Sequence, residues 1–193
     1  NDKVAFITGG SGGLGSVIAL RLAASGANIA ISYGQNLAAA KEIKAQIIAM
    51  GRKCCILEMD QRVPQSIVNS VNHIVSELGT IDILVNNAGS NRPEHFIKVK
   101  KENMDYLVNL NLKACFNIAQ ICTKKMLETK NRKKIGGSII NMSSQMGKVG
   151  GPSRSVYNMT KFGLEGLTRG MAIDLAKNNI RVNTVCPTFV LTP

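Results

Sequence analysis

A tyrosine and a lysine, Tyr157 and Lys161, lie four residues apart within a segment of helical periodicity. Residues at positions i and i+4 share one face of a helix. A free tyrosine titrates at about pH 10, so on its own it is a poor acid–base catalyst at neutral pH. A neighbouring ammonium group favours the phenolate and brings its titration toward working pH. The pair therefore predicts a tyrosine that exchanges a proton with a substrate.

A serine hydroxyl supplies a possible partner for this pair. Ser144 follows an apolar segment that ends at Asn141-Met142, and it precedes Tyr157 in the chain. A hydroxyl at the end of a strand could hold a substrate carbonyl oxygen while Tyr157 exchanges the proton. A tyrosine–lysine pair alone is common by chance, so this chemistry depends on what the rest of the chain contains.

A glycine cluster near the start of the chain suggests a dinucleotide site. The apolar segment Val4–Thr8 leads into Gly9-Gly10-Ser11-Gly12-Gly13-Leu14-Gly15, and an amphipathic segment follows. A glycine-rich turn between a strand and a helix lets backbone N–H groups approach a pyrophosphate. The alternative is an ordinary flexible turn. A P-loop nucleotidase is disfavoured, because the cluster contains neither GKS nor GKT.

Two further strand ends bear on the cofactor. Ser32-Tyr33-Gly34 contains no acidic residue, although NAD-binding proteins commonly have one at this point to bind the ribose 2′-hydroxyl. This favours NADP(H) over NAD(H), although no Arg or Lys stands there either. Asp60, followed by Gln61, could accept a hydrogen bond from an adenine amino group, or it could cap the helix that follows; both interpretations remain open.

Small and amide residues, Asn86-Asn87-Ala88-Gly89, follow the predicted strand Ile81–Val85. Small residues allow a ligand to approach the backbone closely, and asparagine side chains can tie neighbouring strands together. Taken alone, the segment could equally be a turn that ends a strand.

The elements that would position these residues alternate along the chain. Strand candidates are Val4–Thr8, Ile29–Ser32, Cys54–Met59, Ile81–Val85, Ser138–Met142 and Arg181–Val185, and helical patterns include Ser16–Ala24, Ala38–Met50, Ile67–Leu78, Asn103–Glu128 and Val156–Lys177. This alternation predicts an α/β fold with a doubly wound parallel sheet, three αβα layers and a single domain over residues 1–193. Ligands in such sheets bind beyond the carboxyl ends of the strands.

Composition excludes several classes of function. The five cysteines form no CxxC pair and there are only two histidines, so we expect no metal site and a reducing, cytoplasmic setting. No apolar run reaches the length of a membrane span. The net charge of +12 could reflect nucleic acid, an anionic cofactor, an acidic protein partner or a solvated surface. Nucleic-acid binding would rest on charge alone, so we expect none. The basic run Lys124–Lys134 is interpreted as a solvated face.

Together these motifs resemble the short-chain dehydrogenase/reductase family over nearly the whole chain. The motifs are Thr8-Gly9-x3-Gly13-x-Gly15, Asn86-Asn87-Ala88-Gly89, Ser144…Tyr157-x3-Lys161 and Arg181-Val182-Asn183. The resemblance implies a Rossmann-type sheet, an NAD(P) cofactor and hydride transfer between nicotinamide C4 and a carbonyl or alcohol carbon.

The resemblance also implies catalytic roles. Tyr157 would donate the proton to the carbonyl oxygen, and Lys161 would bind the nicotinamide ribose and favour the phenolate. Ser144, rather than Ser143, would orient the carbonyl. Asn111, which the Asn-Leu-x-x-x-Phe spacing selects over its neighbour Asn109, would hold a water molecule in a proton relay. The implied cofactor contacts are Gly9, Ser11, Gly13, Leu14, Gly15, Tyr33, Asp60, Gln61, Asn87, Ala88, Gly89, Tyr157, Lys161, Pro187, Val190 and Thr192.

Two features depart from the family pattern. Pro187-Thr188 stands where the family usually has Pro-Gly, and threonine has less backbone freedom than glycine. The sequence ends at Pro193, whereas family members generally continue into helices that cover the substrate and a last strand. We therefore expect those elements to be missing from this domain.

The leading hypothesis is an NAD(P)-dependent enzyme acting on a ketone/secondary-alcohol pair. Its substrate could be a 3-oxoacyl thioester, since the basic run could meet an acidic carrier protein, or a sugar or polyol. The alternative is a catalytically silent dinucleotide-binding module. The resemblance also implies a homo-oligomer, a tetramer through the two long helices Asn103–Glu128 and Val156–Lys177, or a dimer.

Overall fold

Six parallel strands form the sheet at the centre of the protein. The computed structural model describes residues 2–192. The strands are β1 (Val4–Ile7), β2 (Asn28–Tyr33), β3 (Cys54–Glu58), β4 (Ile83–Asn86), β5 (Gly137–Met142) and β6 (Ile180–Val185). Their order in the sheet is β3-β2-β1-β4-β5-β6, so the order reverses between β1 and β4. The predicted doubly wound α/β fold is confirmed.

Helices connect successive strands and differ from the predicted segments at their ends. They are α1 (Gly13–Ala24), α2 (Leu37–Ala49), α3 (Pro64–Leu78), α4 (Lys101–Val108), α5 (Ala114–Glu128), α6 (Arg132–Ile135) and α7 (Ser155–Leu175). Prediction of one regular helix over Asn103–Glu128 was wrong, because a π-helical turn over Asn109–Lys113 separates α4 from α5. Helix α3 begins at Pro64, earlier than predicted, as suits a proline in a first turn.

Alternating side chains of the strands build two cores, one on each face of the sheet. In β1, Val4 and Phe6 join one cluster, whereas Ala5 and Ile7 join the other. Helices α3, α5 and the end of α7 cover the first face, and α1 and α2 cover the second. Because successive strand residues point to opposite faces, a run that is apolar throughout requires this three-layer arrangement.

A buried ion pair closes the end of the sheet where the strands begin. The guanidinium of Arg132 lies 3.0 Å from Asp82 Oδ1, and both side chains are at most 8% exposed. Arg132 also donates to the carbonyl oxygens of Met126, at 2.8 Å, and Gly136, at 2.5 Å. The interpretation of the whole Lys124–Lys134 run as a solvated face was therefore wrong at Arg132, which is buried because it pairs with Asp82.

Residues 2–192 contain neither a helix that could cross a membrane nor a cluster of metal-binding side chains. None of the described helices combines the length and apolar character needed to cross a membrane. Within the same range, no three His, Cys, Asp or Glu side chains lie close enough to hold a metal ion. All five cysteines are free.

Candidate active site

Two cavities open beyond the carboxyl ends of the strands, on either side of the turn that follows β1. We call the first the catalytic cavity. It measures about 260 Å³ and is lined by Leu14, Asn87, Gly89, Ser90, Asn91, Met142, Ser143, Ser144, Tyr157, Lys161, Pro187 and Thr188. The second, the adenosine-side cavity, measures about 730 Å³, and its lining includes Gly9, Ser11, Tyr33, Asp60, Gln61, Arg62, Ala88 and Tyr106. The structure thus brings most of the predicted site residues to the predicted edge of the sheet.

The glycine-rich turn packs too tightly for side chains at one end and leaves open space at the other. A Cβ on Gly15 would lie 2.2 Å from Gly9 O, so α1 can approach β1 only with glycine there. Gly9 has a φ of +63°, which favours glycine. At Gly12 and Gly13 a Cβ would meet nothing within 4 Å. The space before the first turn of α1 therefore fits a pyrophosphate, whose charge the N-terminus of a helix attracts.

Thr8 and Asn87 join the turn after β1 to the turn after β4. Thr8 Oγ1 accepts hydrogen bonds from the backbone N–H groups of Asn87, at 2.9 Å, and Ala88, at 3.0 Å. The Asn87 amide in return donates to Thr8 O at 2.9 Å. Its neighbour Asn86 donates to Asn141 Oδ1 at 2.9 Å, which ties β4 to β5. The expectation that these asparagines connect neighbouring strands is confirmed. The connections hold in place the turn after β4, which borders both cavities through Asn87 and Ala88.

Asn111 lies in the π turn between α4 and α5 and is buried, with 1% of its surface exposed. Its Oδ1 accepts from Ser90 N at 2.9 Å, and its Nδ2 donates to Ser90 O at 2.8 Å. The side chain thereby holds both backbone groups of the residue that follows Gly89. Such π turns often occur at functional sites. This one places Asn111 beneath the catalytic cavity.

Tyr157 and Lys161 face the same cavity from the first turns of α7. Lys161 Nζ lies 5.5 Å from the centre of the Tyr157 ring, and it donates to Met142 O at 2.6 Å. Burial lowers the pKa of the Lys161 ammonium, since the side chain is only 6% exposed. With one hydrogen bond to a protein atom, the ammonium keeps donors for a ligand.

The two serines after β5 differ in burial. Ser143 is 5% exposed, and its Oγ lies beside the Glu165 carboxylate, whose pKa it helps to lower. Ser144 is half-buried, and its Oγ accepts from Met146 N at 3.1 Å. Because that bond uses an oxygen lone pair, the Ser144 O–H remains available to donate to a carbonyl oxygen.

A carboxylate behind the cavity was missed by the sequence analysis. Glu165, one helical turn beyond Lys161, is 6% exposed and accepts from Lys148 Nζ at 2.6 Å. Burial raises the pKa of Glu165, but side-chain hydrogen bonds from its neighbours outweigh burial and lower it to about 2; these neighbours are Lys148, Ser143, Cys186 and Thr184. The carboxylate thus joins α7 to the segments that follow β5 and β6. In the sequence, a glutamate one helical turn after a lysine does not indicate that it will join these segments.

One arginine that the sequence analysis did not single out, Arg62, lines the adenosine-side cavity, and a second, Arg92, lies against Tyr106 at its border. Arg62 pairs with Asp60 at 2.6 Å and lies 5.3 Å from the Tyr106 ring, which Arg92 covers at 3.6 Å. The Asp60–Arg62 pair lowers the pKa of Asp60 through their side-chain hydrogen bond. The alternative that Asp60 caps α3 is wrong, because the cap residue is Val63.

Other predicted cofactor contacts occupy different environments. Gln61 is buried, and its amide donates to Ala88 O at 3.2 Å and Leu110 O at 3.0 Å. Pro187 lines the catalytic cavity, and its carbonyl accepts from Gln145 N at 2.8 Å. Val190 and Thr192 are exposed and line neither cavity.

Comparisons with known proteins agree with this geometry. A family model described as short chain dehydrogenase matches residues 3–193. The chain is 36% identical over 190 residues to a 3-oxoacyl-[acyl-carrier-protein] reductase of Staphylococcus aureus, covering 98% of this chain and 75% of that protein. It is 38% identical over 190 residues to the 2-dehydro-3-deoxy-D-gluconate 5-dehydrogenase of Escherichia coli, covering 98% and 72%. A solved short-chain dehydrogenase of Burkholderia cenocepacia in complex with NADP superposes with a TM-score of 0.91 at 34% identity, covering 98% and 75%.

Proposed function

The chain belongs to the short-chain dehydrogenase family of NAD(P)-dependent oxidoreductases, and from that premise we propose that it interconverts a ketone and a secondary alcohol with NADP(H). One observation carries the proposal: Ser144, Tyr157 and Lys161 line a single cavity beyond the carboxyl ends of the strands. The intact set favours an active enzyme over the silent dinucleotide-binding module.

Each side chain of the site has its own role in carbonyl reduction. The nicotinamide, when bound, supplies the hydride to the carbonyl carbon. Ser144 donates a hydrogen bond to the carbonyl oxygen, and Tyr157 gives that oxygen its proton. The Lys161 ammonium attracts the phenolate that remains and binds the nicotinamide ribose. In alcohol oxidation the same groups act in reverse. Asn111 holds the segment after Gly89 in place and would position a water molecule that returns a proton to Tyr157.

The pyrophosphate would lie before the first turn of α1, and the adenosine would occupy the larger cavity. Gly9, Ser11, Gly13, Leu14 and Gly15 would surround the pyrophosphate. Tyr33, Asp60, Gln61 and Ala88 would border the adenosine. Asn87, Gly89, Pro187, Val190 and Thr192 are proposed on the nicotinamide side, together with Tyr157 and Lys161.

NADP(H) is the proposed cofactor because of the charges at the end of β2. No acid follows Tyr33, and the Arg62 guanidinium lines the same cavity. Glu58 and Asp60 also border this cavity, and Asp60 pairs with Arg62, so a 2′-phosphate would take the place of Asp60 as the partner of that guanidinium. The relative from Burkholderia cenocepacia was solved in complex with NADP, which supports NADP(H) as a cofactor of this fold.

The substrate is proposed to be a small molecule with a ketone or secondary alcohol. The two curated relatives have names that cite an acyl-carrier thioester and a sugar acid, so both classes are candidates. An acidic carrier protein could bind the basic residues of α5 and of the loop after it. Arg132 would not take part, because it is buried in its ion pair with Asp82.

We further propose a cytoplasmic homo-oligomer, a tetramer or dimer. Exposed apolar side chains on α5 and α7, among them Phe116 and Phe162, are nearly half exposed at 47% and 49%. Such side chains are typical of surfaces that pack against another protein. Light scattering of the purified protein would distinguish a monomer from either assembly.

Absorbance of the reduced cofactor tests the proposed activity. NADPH and NADH are each mixed with the protein and a panel of oxoacyl thioesters, keto sugars and simple ketones. We expect oxidation of NADPH by at least one ketone, faster than oxidation of NADH. Cofactor binding without oxidation by any ketone would instead support the silent module.

A further inference from the structure

A smaller cavity adjoins the catalytic cavity on the side away from the glycine-rich turn. It measures about 170 Å³ and is lined by Asn91, Ser144, Gln145, Met146, Arg154, Tyr157, Thr188 and Phe189. Ser144 and Tyr157 border both cavities, so this space is where the rest of the substrate would extend from its carbonyl group. Building on the proposed function, we infer that the substrate carries a carboxylate a few bonds from its ketone, and that Arg154 binds this carboxylate.

Arg154 is placed beside Tyr157 by the start of α7. It precedes the helix as its cap residue, and its carbonyl accepts from Asn158 N at 2.7 Å. Residues three apart at a helix start lie on neighbouring positions of its surface, so the guanidinium and the phenol share one side of α7. A Cβ on Gly151 would lie 3.6 Å from Arg154 Cγ, so the loop backbone passes close to the arginine stem.

The guanidinium of Arg154 lacks the partner that other cations near the site have. Its side chain makes no capping bond, and no ion pair among residues 2–192 includes it. The other cations are each engaged: Arg62 by Asp60, Arg92 by Asn103 and Tyr106, Lys148 by Glu165, and Lys161 by Met142 O. Since Arg154 is half-buried, an arriving anion would compensate a charge that has already lost part of its hydration.

Among residues 2–192, no acidic side chain lines either the catalytic cavity or the smaller one. Glu94 lies close to the start of α7, because its backbone N–H donates to Ser153 O at 3.1 Å. Its Oε2 is instead directed to Lys100 N, at 3.4 Å. The charge facing the substrate is therefore positive, contributed by Lys161 at the reacting end and Arg154 at the far end.

The geometry favours a carboxylate close to the ketone over a distant charge. Arg154 is near Tyr157 in the chain and in space, so the anion it binds must lie close to the carbonyl that Tyr157 protonates. A planar guanidinium binds a carboxylate through two parallel hydrogen bonds. Met146 and Phe189 offer apolar contacts for the short carbon chain between the two groups. Phosphate has similar charge chemistry, so the experiment includes a phosphate arm.

The test compares matched oxo substrates of equal chain length: an oxo carboxylate, its methyl ester, its amide and a phosphate-bearing ketone. Initial rates with NADPH give kcat/KM for each substrate. A carboxylate of the same chain length that has neither a ketone nor an alcohol group cannot react, so its binding is measured as competitive inhibition of ketone reduction. For the unsubstituted protein we expect the carboxylate to exceed the ester and amide by roughly tenfold or more, mainly through KM. A phosphate substrate preferred over the carboxylate would overturn the assignment to carboxylates.

Variants then assign the preference to Arg154. In Arg154→Gln the carboxylate-to-ester ratio should fall toward one, and Arg154→Lys should restore part of it. Arg169→Gln, which removes an exposed arginine from the same helix, is the matched control and should keep the ratio. An equal ratio in the unsubstituted protein, or a ratio that survives Arg154→Gln, would overturn the inference while leaving ketone reduction intact. Failure of every ketone to oxidise bound NADPH would instead contradict the proposed function on which the inference rests.

Discussion

Arg132 and Lys161 are both buried cations, but they lie at opposite ends of the sheet and have different surroundings. Arg132, where the strands begin, is 4% exposed and reaches Asp82 as well as the carbonyl oxygens of Met126 and Gly136. Lys161, where the strands end, is 6% exposed and has a single protein partner, Met142 O.

The difference separates a structural charge from a functional one. A buried cation is costly unless its donors are paired, and Arg132 meets that requirement within the protein. Lys161 does not, so burial lowers the pKa of its ammonium and leaves donors facing a cavity. Such unbalanced groups are typical of functional sites.

The largest effect is expected from removing the functional cation. Lys161→Ala should lower kcat/KM by about 10²–10⁴-fold, because Tyr157 loses the ammonium that assists its proton transfer. It should also weaken NADPH binding, measured by cofactor fluorescence. Thermal stability should hardly change, since the ammonium makes one hydrogen bond. A variant that melts far below the unsubstituted protein would show that Lys161 is structural after all.

Removal of the structural cation should give the opposite pattern. Arg132→Ala leaves Asp82 buried without its partner, which typically costs about 3–5 kcal/mol of unfolding free energy. Denaturant titration measures that loss, while NADPH binding per folded molecule should be retained. Lys133→Ala, at an exposed neighbour, is the control and should be nearly neutral. Equal losses of unfolding free energy in Arg132→Ala and Lys161→Ala would contradict the distinction between a structural and a functional cation.

Acid should weaken the Glu165 cluster near the functional cation. Its pKa is lowered to about 2 from the ordinary 4.5, so its contribution is present above pH 4.5 and disappears as pH falls toward 2. The stability difference between Glu165→Gln and the unsubstituted protein should therefore shrink across this interval. A difference that is independent of pH would mean that packing, rather than charge, gives Glu165 its effect.

The smallest effect concerns cofactor choice at the end of β2. Tyr33→Asp should shift the ratio of NADPH to NADH affinity toward NADH, since a carboxylate repels a 2′-phosphate and accepts from a ribose hydroxyl. Tyr33 is only 9% exposed, so the same variant is expected to lose some stability. Affinities measured separately from melting temperatures distinguish the two effects. Unchanged cofactor preference would place the 2′-phosphate elsewhere.

The strands and their ends could be predicted because they depend on local patterns. Apolar runs marked all six strands, and glycines and asparagines marked the turns that follow them. The π turn around Asn111 could not be read from periodicity, because it shifts the helical register by a single residue between two regular helices.

Ion-pair partners that are distant in sequence could not be predicted, for a different reason. Arg132 pairs with Asp82 across 50 positions of sequence, and Glu165 meets Lys148 across 17. Arg62 and Arg154 belong to no sequence motif, and only the fold places each of them beside a cavity. A charge's role depends on which donors and acceptors the fold brings near it, and residue type alone does not contain that information.

Isotope transfer in the unsubstituted protein and in Tyr157→Phe tests the central claim most directly. The protein is incubated with a reducible ketone and NADPH that carries deuterium at both hydrogen positions of nicotinamide C4, and the product alcohol is examined by mass spectrometry. We predict one deuterium on the carbinol carbon. In Tyr157→Phe we predict almost no product, although the variant should still bind NADPH. An alcohol without deuterium, or substantial turnover by Tyr157→Phe, would contradict the account.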